Sequence, residues 1–206
     1  MNSLLTAAKK YARSLPDSPA VQFLENRGLD LAELERFRLG YVAEPEIGHD
    51  MFRGRLSIPY WRRSASGVWS VRGMKFRSLQ ANPGAAKYLP SPGLKTMLFN
   101  TQDAISNEDW ICITEGEFDC IAASSNGIPA VGVAGATHWQ PKWNPIFYGY
   151  ETVYVLTDGD QAGLDMGGVV ADNLPNAKVI PMLDGEDVNS MIQKYGADKI
   201  REMIGR

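Results

Sequence analysis

From Trp110 onward the chain alternates short apolar runs with amphipathic stretches, a rhythm that predicts repeated βα units. The runs at 110–114, 130–134, 152–156 and 177–182 read as buried strands. The stretches at about 117–126, 138–147 and 161–173, and from about 187 onward, read as helices, the first of them closed by Gly127. Strands and helices in this order make a short doubly wound unit with a mainly parallel sheet. The first half has a different texture. Ser3 to Leu15 is amphipathic and stops at Pro16, Ser18-Pro19 opens a helix that ends at Gly28, and Asp30 caps a short helix running through Glu33, Leu34 and Phe37 to near Gly40. Arg55–Trp61 and Val68–Arg72, separated by Ser64-Ala65-Ser66-Gly67, predict a β-hairpin. Asn82-Pro83-Gly84 and Pro90-Ser91-Pro92-Gly93 are loop signals on either side of Lys87-Tyr88-Leu89. The expected class is α/β, with a small α+β subdomain over residues 1–100 and the βα unit over 101–206.

Charge sharpens this division. The formal total is only −3, yet Arg53 to Lys95 holds nine lysines and arginines and no acid, whereas Glu108–Asp119 and Asp158–Asp187 are rich in acids. Aromatics are interleaved with the cations at Tyr60, Trp61, Trp69, Phe76 and Tyr88. Strand alternation sends most of these rings to the core and leaves Tyr88 as the candidate for stacking on a base. Two cysteines, Cys112 and Cys120, are too few for a four-cysteine zinc site and read as reduced packing residues. No apolar run approaches a membrane span, and the amino terminus lacks a signal-peptide core, so a cytoplasmic protein is expected, with no membrane partner. His49 and His138 lack metal-ligand spacing and read as structural. The glycine-bearing segment from Val131 to Thr137 reads as a tight turn more readily than as a phosphate cradle.

The candidate chemistry lies where strands end. Trp110–Thr114 runs into Glu115-Gly116-Glu117-Phe118-Asp119, Thr152–Leu156 runs into Thr157-Asp158-Gly159-Asp160, and the last strand delivers Leu183-Asp184-Gly185-Glu186-Asp187. In open α/β sheets functional groups gather at the carboxyl ends of strands. Carboxylates on adjacent strand ends repel one another, a cost relieved by a cation or a retained proton, and Mg²⁺ is a hard ion suited to a few carboxylates with waters and phosphate oxygens. Gly116 and Gly159 remove a Cβ beside these acids, which permits tight turns and close approach of a phosphate ligand.

TEGEFD at 114–119 and LTDGDQAG at 156–163 resemble the two signature motifs of the TOPRIM (topoisomerase-primase) domain. RGLDLAELERFRLGY at 27–41, FRGRLSIPY at 52–60, AKYLPSP at 86–92 and LDGEDVNSMI at 183–192 resemble, in the same order, the RNA polymerase region of bacterial and phage-type DNA primases. The resemblance covers roughly residues 20 to 196 and implies a Rossmann-like TOPRIM domain behind a basic primase-core subdomain. It implies that Glu115, Asp158 and Asp160 form the catalytic metal centre with Asp184 as a further ligand, and that Asp119, Glu186 and Asp187 support it or hold additional metal. The resemblance further implies that Arg53, Arg55, Lys75, Lys87 and Tyr88 hold template or the incoming nucleotide's phosphates. The chain departs from the pattern at Gly73-Met74-Lys75, where Gly-Gly-Arg is expected, and a lysine cannot make the bidentate phosphate contact of an arginine.

The implied activity is synthesis of short RNA primers on single-stranded DNA from ribonucleoside triphosphates, using two or more Mg²⁺ or Mn²⁺ ions and no zinc. The expected form is phage-type or split, with a replicative helicase or a separate zinc-binding or helical subunit as further partners. Two alternatives stay open. The same acids can direct water at a phosphodiester, as in a TOPRIM metal-dependent nuclease, or the chain can serve as a non-catalytic nucleic-acid-binding replication subunit. A topoisomerase is the least fitting class, because that chemistry also needs a nucleophilic tyrosine on a further domain.

Overall fold

The structure, a computed structural model, describes residues 3–80, 84, 86–105, 108–133 and 139–206, and for Glu33 the backbone only. His138, residues 134–137 of the glycine-bearing segment and the Asn82-Pro83 loop signal lie outside the described residues. The chain divides into two compact units, Met1–Lys95 and Thr96–Arg206.

The first unit is a four-stranded antiparallel sheet with helices. α1 (Ser3–Arg13), α2 (Ala20–Glu25) and α3 (Leu31–Leu34) precede β1 (Gly40–Tyr41), β2 (Leu56–Arg63), β3 (Trp69–Arg77) and β4 (Tyr88–Pro90), in the spatial order β1-β2-β3-β4. α1 ends before Pro16, and the Asp30 carboxylate caps α3 by accepting from the Ala32 amide at 2.8 Å. The hairpin is longer than its apolar pattern suggested, with Leu56 paired to Arg77, and a bulge between Tyr60 and Trp61 shifts its register. β4 falls between the two loop signals, where the sequence offered only a bracketed tripeptide. Its strand character comes from pairing across the sheet, Arg77 to Tyr88 and Phe76 to Leu89. Ala7, Ala8 and Tyr11 of α1 pack with Phe52, Trp61, Val71, Met74 and Phe76 in one core. His49 is structural here, edge-on to Phe52 and Phe76 and bonded through Nδ1 to the Tyr11 hydroxyl at 2.9 Å.

The second unit carries the βα repeat. β5 (Trp110–Thr114), α4 (Glu117–Ser125), β6 (Ala130–Gly132), α5 (Asn144–Phe147), β7 (Thr152–Thr157), α6 (Gln161–Asn173), β8 (Ala177–Pro181), α7 (Val188–Tyr195) and α8 (Ala197–Ile204) follow in that order. The sheet is parallel throughout in the order β6-β5-β7-β8. Ile111, Ile113, Val153 and Val155 form its core with Met166, Val170 and Leu174 of α6. α4 is buried along nearly its whole length and packs on α7. Cys112 and Cys120 are buried and not disulfide-bonded, and Cys120 Sγ donates to Ala130 O at 3.2 Å.

Two expected helices differ. The stretch expected at 138–147 holds a 3₁₀ turn over Pro141–Trp143 and a single helical turn, because Pro141 and Pro145 suit only the start of a helix. The terminal helical stretch breaks at Gly196, which takes φ +80° and separates α7 from α8. At the outer edge of β6 the chain folds back on itself. Phe99 pairs with Gly132 in an antiparallel bridge, and Asp103 Oδ2 accepts from the Ala130 amide at 3.1 Å.

Adjacent glycines in α6 give this packing a sharp test. A Cβ on Gly167 would sit 2.6 Å from Val179 Cγ1 and 3.0 Å from Thr157 Cγ2, whereas one on Gly168 would meet nothing within 4 Å. Gly167→Ala is expected to destabilise by about 1–3 kcal/mol through overpacking. Gly168→Ala is expected to stabilise by about 0.4–1 kcal/mol through helix propensity and lost unfolded-state entropy. Urea denaturation of both variants reads the opposite signs directly.

Candidate active site

Strand order locates the site. From β5 the chain moves outward to β6, then returns past β5 to build β7 and β8 on the other side. The reversal between β5 and β7 is a topological switch point, the place where open α/β sheets bind ligands at the carboxyl ends of their strands. Glu115 follows β5 directly, and Asp158 and Asp160 follow β7, so the register that pairs Thr114 with Leu156 brings the acidic turns alongside one another.

Backbone contacts hold these turns in place. The Gly159 amide donates to Glu186 O at 2.8 Å, and the Gly185 amide donates back to Gly159 O at 3.1 Å. A Cβ on Gly159 would be driven into the Leu183 carbonyl, and one on Gly163 would lie 2.8 Å from the Asp158 amide nitrogen. Gly159 is therefore required by the neighbouring loop, a nearer reason than the phosphate approach its sequence context suggested. At Gly116 a Cβ would stand 2.6 Å from Asp119 Oδ2, so the missing side chain makes room for a carboxylate. Asp160 caps α6, accepting from the Gly163 amide at 2.8 Å, and Asp187 caps α7, accepting from the Ser190 amide at 2.6 Å.

Burial and like charge set the electrostatics. Asp119 is buried at 8% exposure, and its Oδ1 accepts from the Asn189 amide at 3.1 Å. Its pKa is pushed up to about 7, first by burial and then by the charges of Asp187 and Asp158, against the lowering effect of the Asn189 hydrogen bond. Glu115 is raised as well, by burial first and then by Asp160 and Asp119. Its Oε2 is buried without a hydrogen-bond partner among the described residues. Five acids, Glu115, Asp119, Asp158, Asp160 and Asp187, thus form one coupled set. Asp184 lies on an exposed turn, and Glu186 is committed to an ion pair with Lys194 that lowers its pKa.

A divalent cation fits this set. Among the described residues no three carboxylate, histidine or cysteine groups converge tightly enough to hold an ion unaided. Mg²⁺ does not require that, since it commonly binds one or two carboxylates and completes its shell with water and phosphate oxygens. The orphaned Glu115 oxygen and the raised carboxylates are what a cation would relieve.

The basic candidates belong to the first unit. Arg53 donates to Ala43 O at 2.9 Å and faces Glu44 at 3.6 Å, and Arg55 donates to Ala86 O at 3.0 Å. Lys87 is exposed beside β4. The Lys75 ammonium lies 5.5 Å from the Tyr88 ring centre, and the Arg77 guanidinium lies 4.9 Å from the same ring. Arg77 is missing from the sequence-derived candidates. Its only signal was its place in the acid-free stretch, because the contact with Phe23 of α2 joins residues far apart in the chain.

A Toprim-like family model matches residues 112–192, which contain both acidic turns. The gene 57 protein of Mycobacterium phage D29 is 45% identical over 154 residues, covering 75% of this chain and 100% of that protein. A DNA primase of Haemophilus influenzae is 27% identical over 240 aligned positions, covering 94% of this chain and 40% of the primase. The chain belongs to the bacterial and phage DNA primase family, with a TOPRIM domain. It spans about two fifths of the length of the curated primases it matches. The fold of the primase core recurs in a solved DnaG primase catalytic domain bound to single-stranded DNA, with TM-score 0.71, 23% identity and coverage of 96% of this chain and 77% of that one.

Asp119 makes stability depend on pH with a defined sign. Between the ordinary value of 3.8 and about 7 the folded state keeps a proton that the unfolded chain has released, so stability falls as pH rises through that window and levels off above it. Asp119→Asn keeps an acceptor for the Asn189 amide and removes the charge. Urea unfolding of this variant is expected to show a flatter profile between pH 4 and 8, with a gain over wild type of at most a few kcal/mol at pH 8.

Proposed function

We propose that the chain is a primase catalytic core, synthesising short RNA primers on single-stranded DNA from ribonucleoside triphosphates. The observation that carries this reading is the coupled acidic set at the β5/β7 switch point, within a chain that matches primases along nearly its full length. Glu115, Asp158 and Asp160 would hold Mg²⁺ or Mn²⁺, with Asp119 and Asp187 behind them. The chemistry a bound ion supplies is Lewis-acid activation of a 3′-hydroxyl and neutralisation of the pyrophosphate leaving group.

The chain's own residues define the conditions for that chemistry. The caps at Asp160 and Asp187 fix those carboxylates to helix starts, so their remaining lone pairs are aimed before any ligand arrives. Asp119 holds a proton near neutrality and releases it when positive charge enters, which keeps the unliganded set from flying apart. The cations of the first unit attract the template backbone and the triphosphate, a sequence-independent attraction. Single-stranded DNA as template is supported by the primase domain known with that ligand. A replicative helicase or a separate zinc-binding or helical subunit completes the proposed assembly.

Glu115→Gln and Asp158→Asn are expected to lower primer synthesis by at least about 100-fold while leaving single-stranded DNA affinity within about 3-fold of wild type. Lys87→Ala is expected to weaken binding and flatten its salt dependence. A gel assay with single-stranded DNA, labelled ribonucleotides and Mg²⁺ or Mn²⁺ reads synthesis, and a parallel lane with end-labelled DNA reads cleavage. Short labelled products lost in both acid variants support the core assignment. Cleavage without synthesis moves the reading to a nuclease, and equal loss of binding in all three variants contradicts separate catalytic and docking residues.

A further inference from the structure

Five side chains of the first unit interleave cations with rings. Arg27 lies 5.1 Å from the centre of the Phe23 ring, Arg77 lies 5.6 Å from Phe23 and 4.9 Å from Tyr88, and Lys75 lies 5.5 Å from Tyr88. The series runs Arg27, Phe23, Arg77, Tyr88, Lys75 and draws on α2, the turn after it, β3 and β4. Strand geometry supplies part of it. Arg77 and Tyr88 are register partners, and Lys75 is two residues back on β3, on the same face as Arg77. Phe23 comes from a helix and gives Arg77, which is held at 8% exposure, a second ring.

Like charges this close repel, and acids are the usual remedy. A carboxylate, however, cancels the charge that attracts a phosphate. An aromatic face attracts a cation through its quadrupole and leaves the net charge intact. It also fixes long, flexible side chains and so lowers the entropy lost when they engage a ligand. Tyr88 already has an ammonium and a guanidinium over its ring, so its ring has a role that needs no nucleobase.

We propose that Phe23 and Tyr88 are positioning residues, aromatic struts that hold Arg77 and Lys75 in a fixed row for the phosphates of a bound single strand. This rests on the primase reading above, and it assigns binding to Arg77 and replaces base stacking by Tyr88 with positioning. The strut role depends on the ring and not on the phenol hydroxyl. It is also indifferent to bases, because its object is the backbone.

Fluorescence anisotropy with a deoxythymidine oligomer and an abasic oligomer of equal length, over a range of salt, separates the possibilities. Tyr88→Leu and Phe23→Leu are expected to weaken binding about 3- to 10-fold on both oligomers. Tyr88→Phe is expected to rescue most of the loss in Tyr88→Leu, and Arg77→Lys is expected to resemble Phe23→Leu because an ammonium lacks the flat guanidinium face. Lys75→Ala is expected to reduce the salt slope by about 0.7, the share of one phosphate contact on a single strand. Circular dichroism confirms that each variant is folded. A Tyr88→Leu penalty that vanishes on the abasic oligomer overturns the proposal in favour of base stacking. Unchanged affinity in a folded Phe23→Leu overturns the helix strut while leaving the primase reading in place. Failure of the wild-type chain to bind either oligomer at low salt overturns both.

Discussion

Carboxylates crowded at one sheet edge repel, and the second unit is organised around holding them together regardless. Glu115 and Asp158 are brought side by side because β5 and β7 are adjacent and parallel, an arrangement fixed by core residues on the strands and α6. The turns after those strands then have little freedom. Gly159 is locked to the 183–186 loop by reciprocal backbone bonds, and helix starts take up one oxygen each from Asp160 and Asp187. Burial first, and then repulsion that cannot be relieved by moving apart, raise the proton affinity of Asp119 and Glu115. Packing remote from the acids is thus what keeps them together.

The first unit handles the opposite sign by other means. Its cations are spread along a sheet, and rings of α2 and β4 lie beside them where the second unit uses backbone amides beside acids. The difference follows from donor chemistry. An amide N–H can steady a carboxylate without neutralising it, and an aromatic face does the same for an ammonium or a guanidinium. Both devices preserve net charge.

The βα rhythm after Trp110 was readable because each strand is a short apolar run and each helix an amphipathic stretch of opposite period. The acids were readable as a set for the same reason, being the first polar residues after those runs. What the sequence withheld was pairing at a distance. β4 is three residues long, too short to show a period, and is made a strand by β3. The expected helix over 138–147 failed because proline chemistry outweighed its apolar spacing. Nothing local indicates that Asp119 is buried beneath Gly116 and bonded to Asn189, seventy residues on, or that Phe23 reaches Arg77. The two glycines were noticed beside the acids, but the backbone or side chain that crowds them belongs to the folded chain.

The return of residues 99–103 along β6 has a consequence for assembly. Phe99 takes the amide and carbonyl of Gly132, while Asp103 and the Asn100 amide take those of Ala130, so the chain itself occupies this border of the parallel sheet. Only β8 remains as an outer strand, and among the described residues no strand pairs with its far side. It carries Lys178 and Pro181, residues that discourage strand addition. Among the described residues, the β6 border is therefore closed by the chain itself, and the β8 border disfavours a further strand.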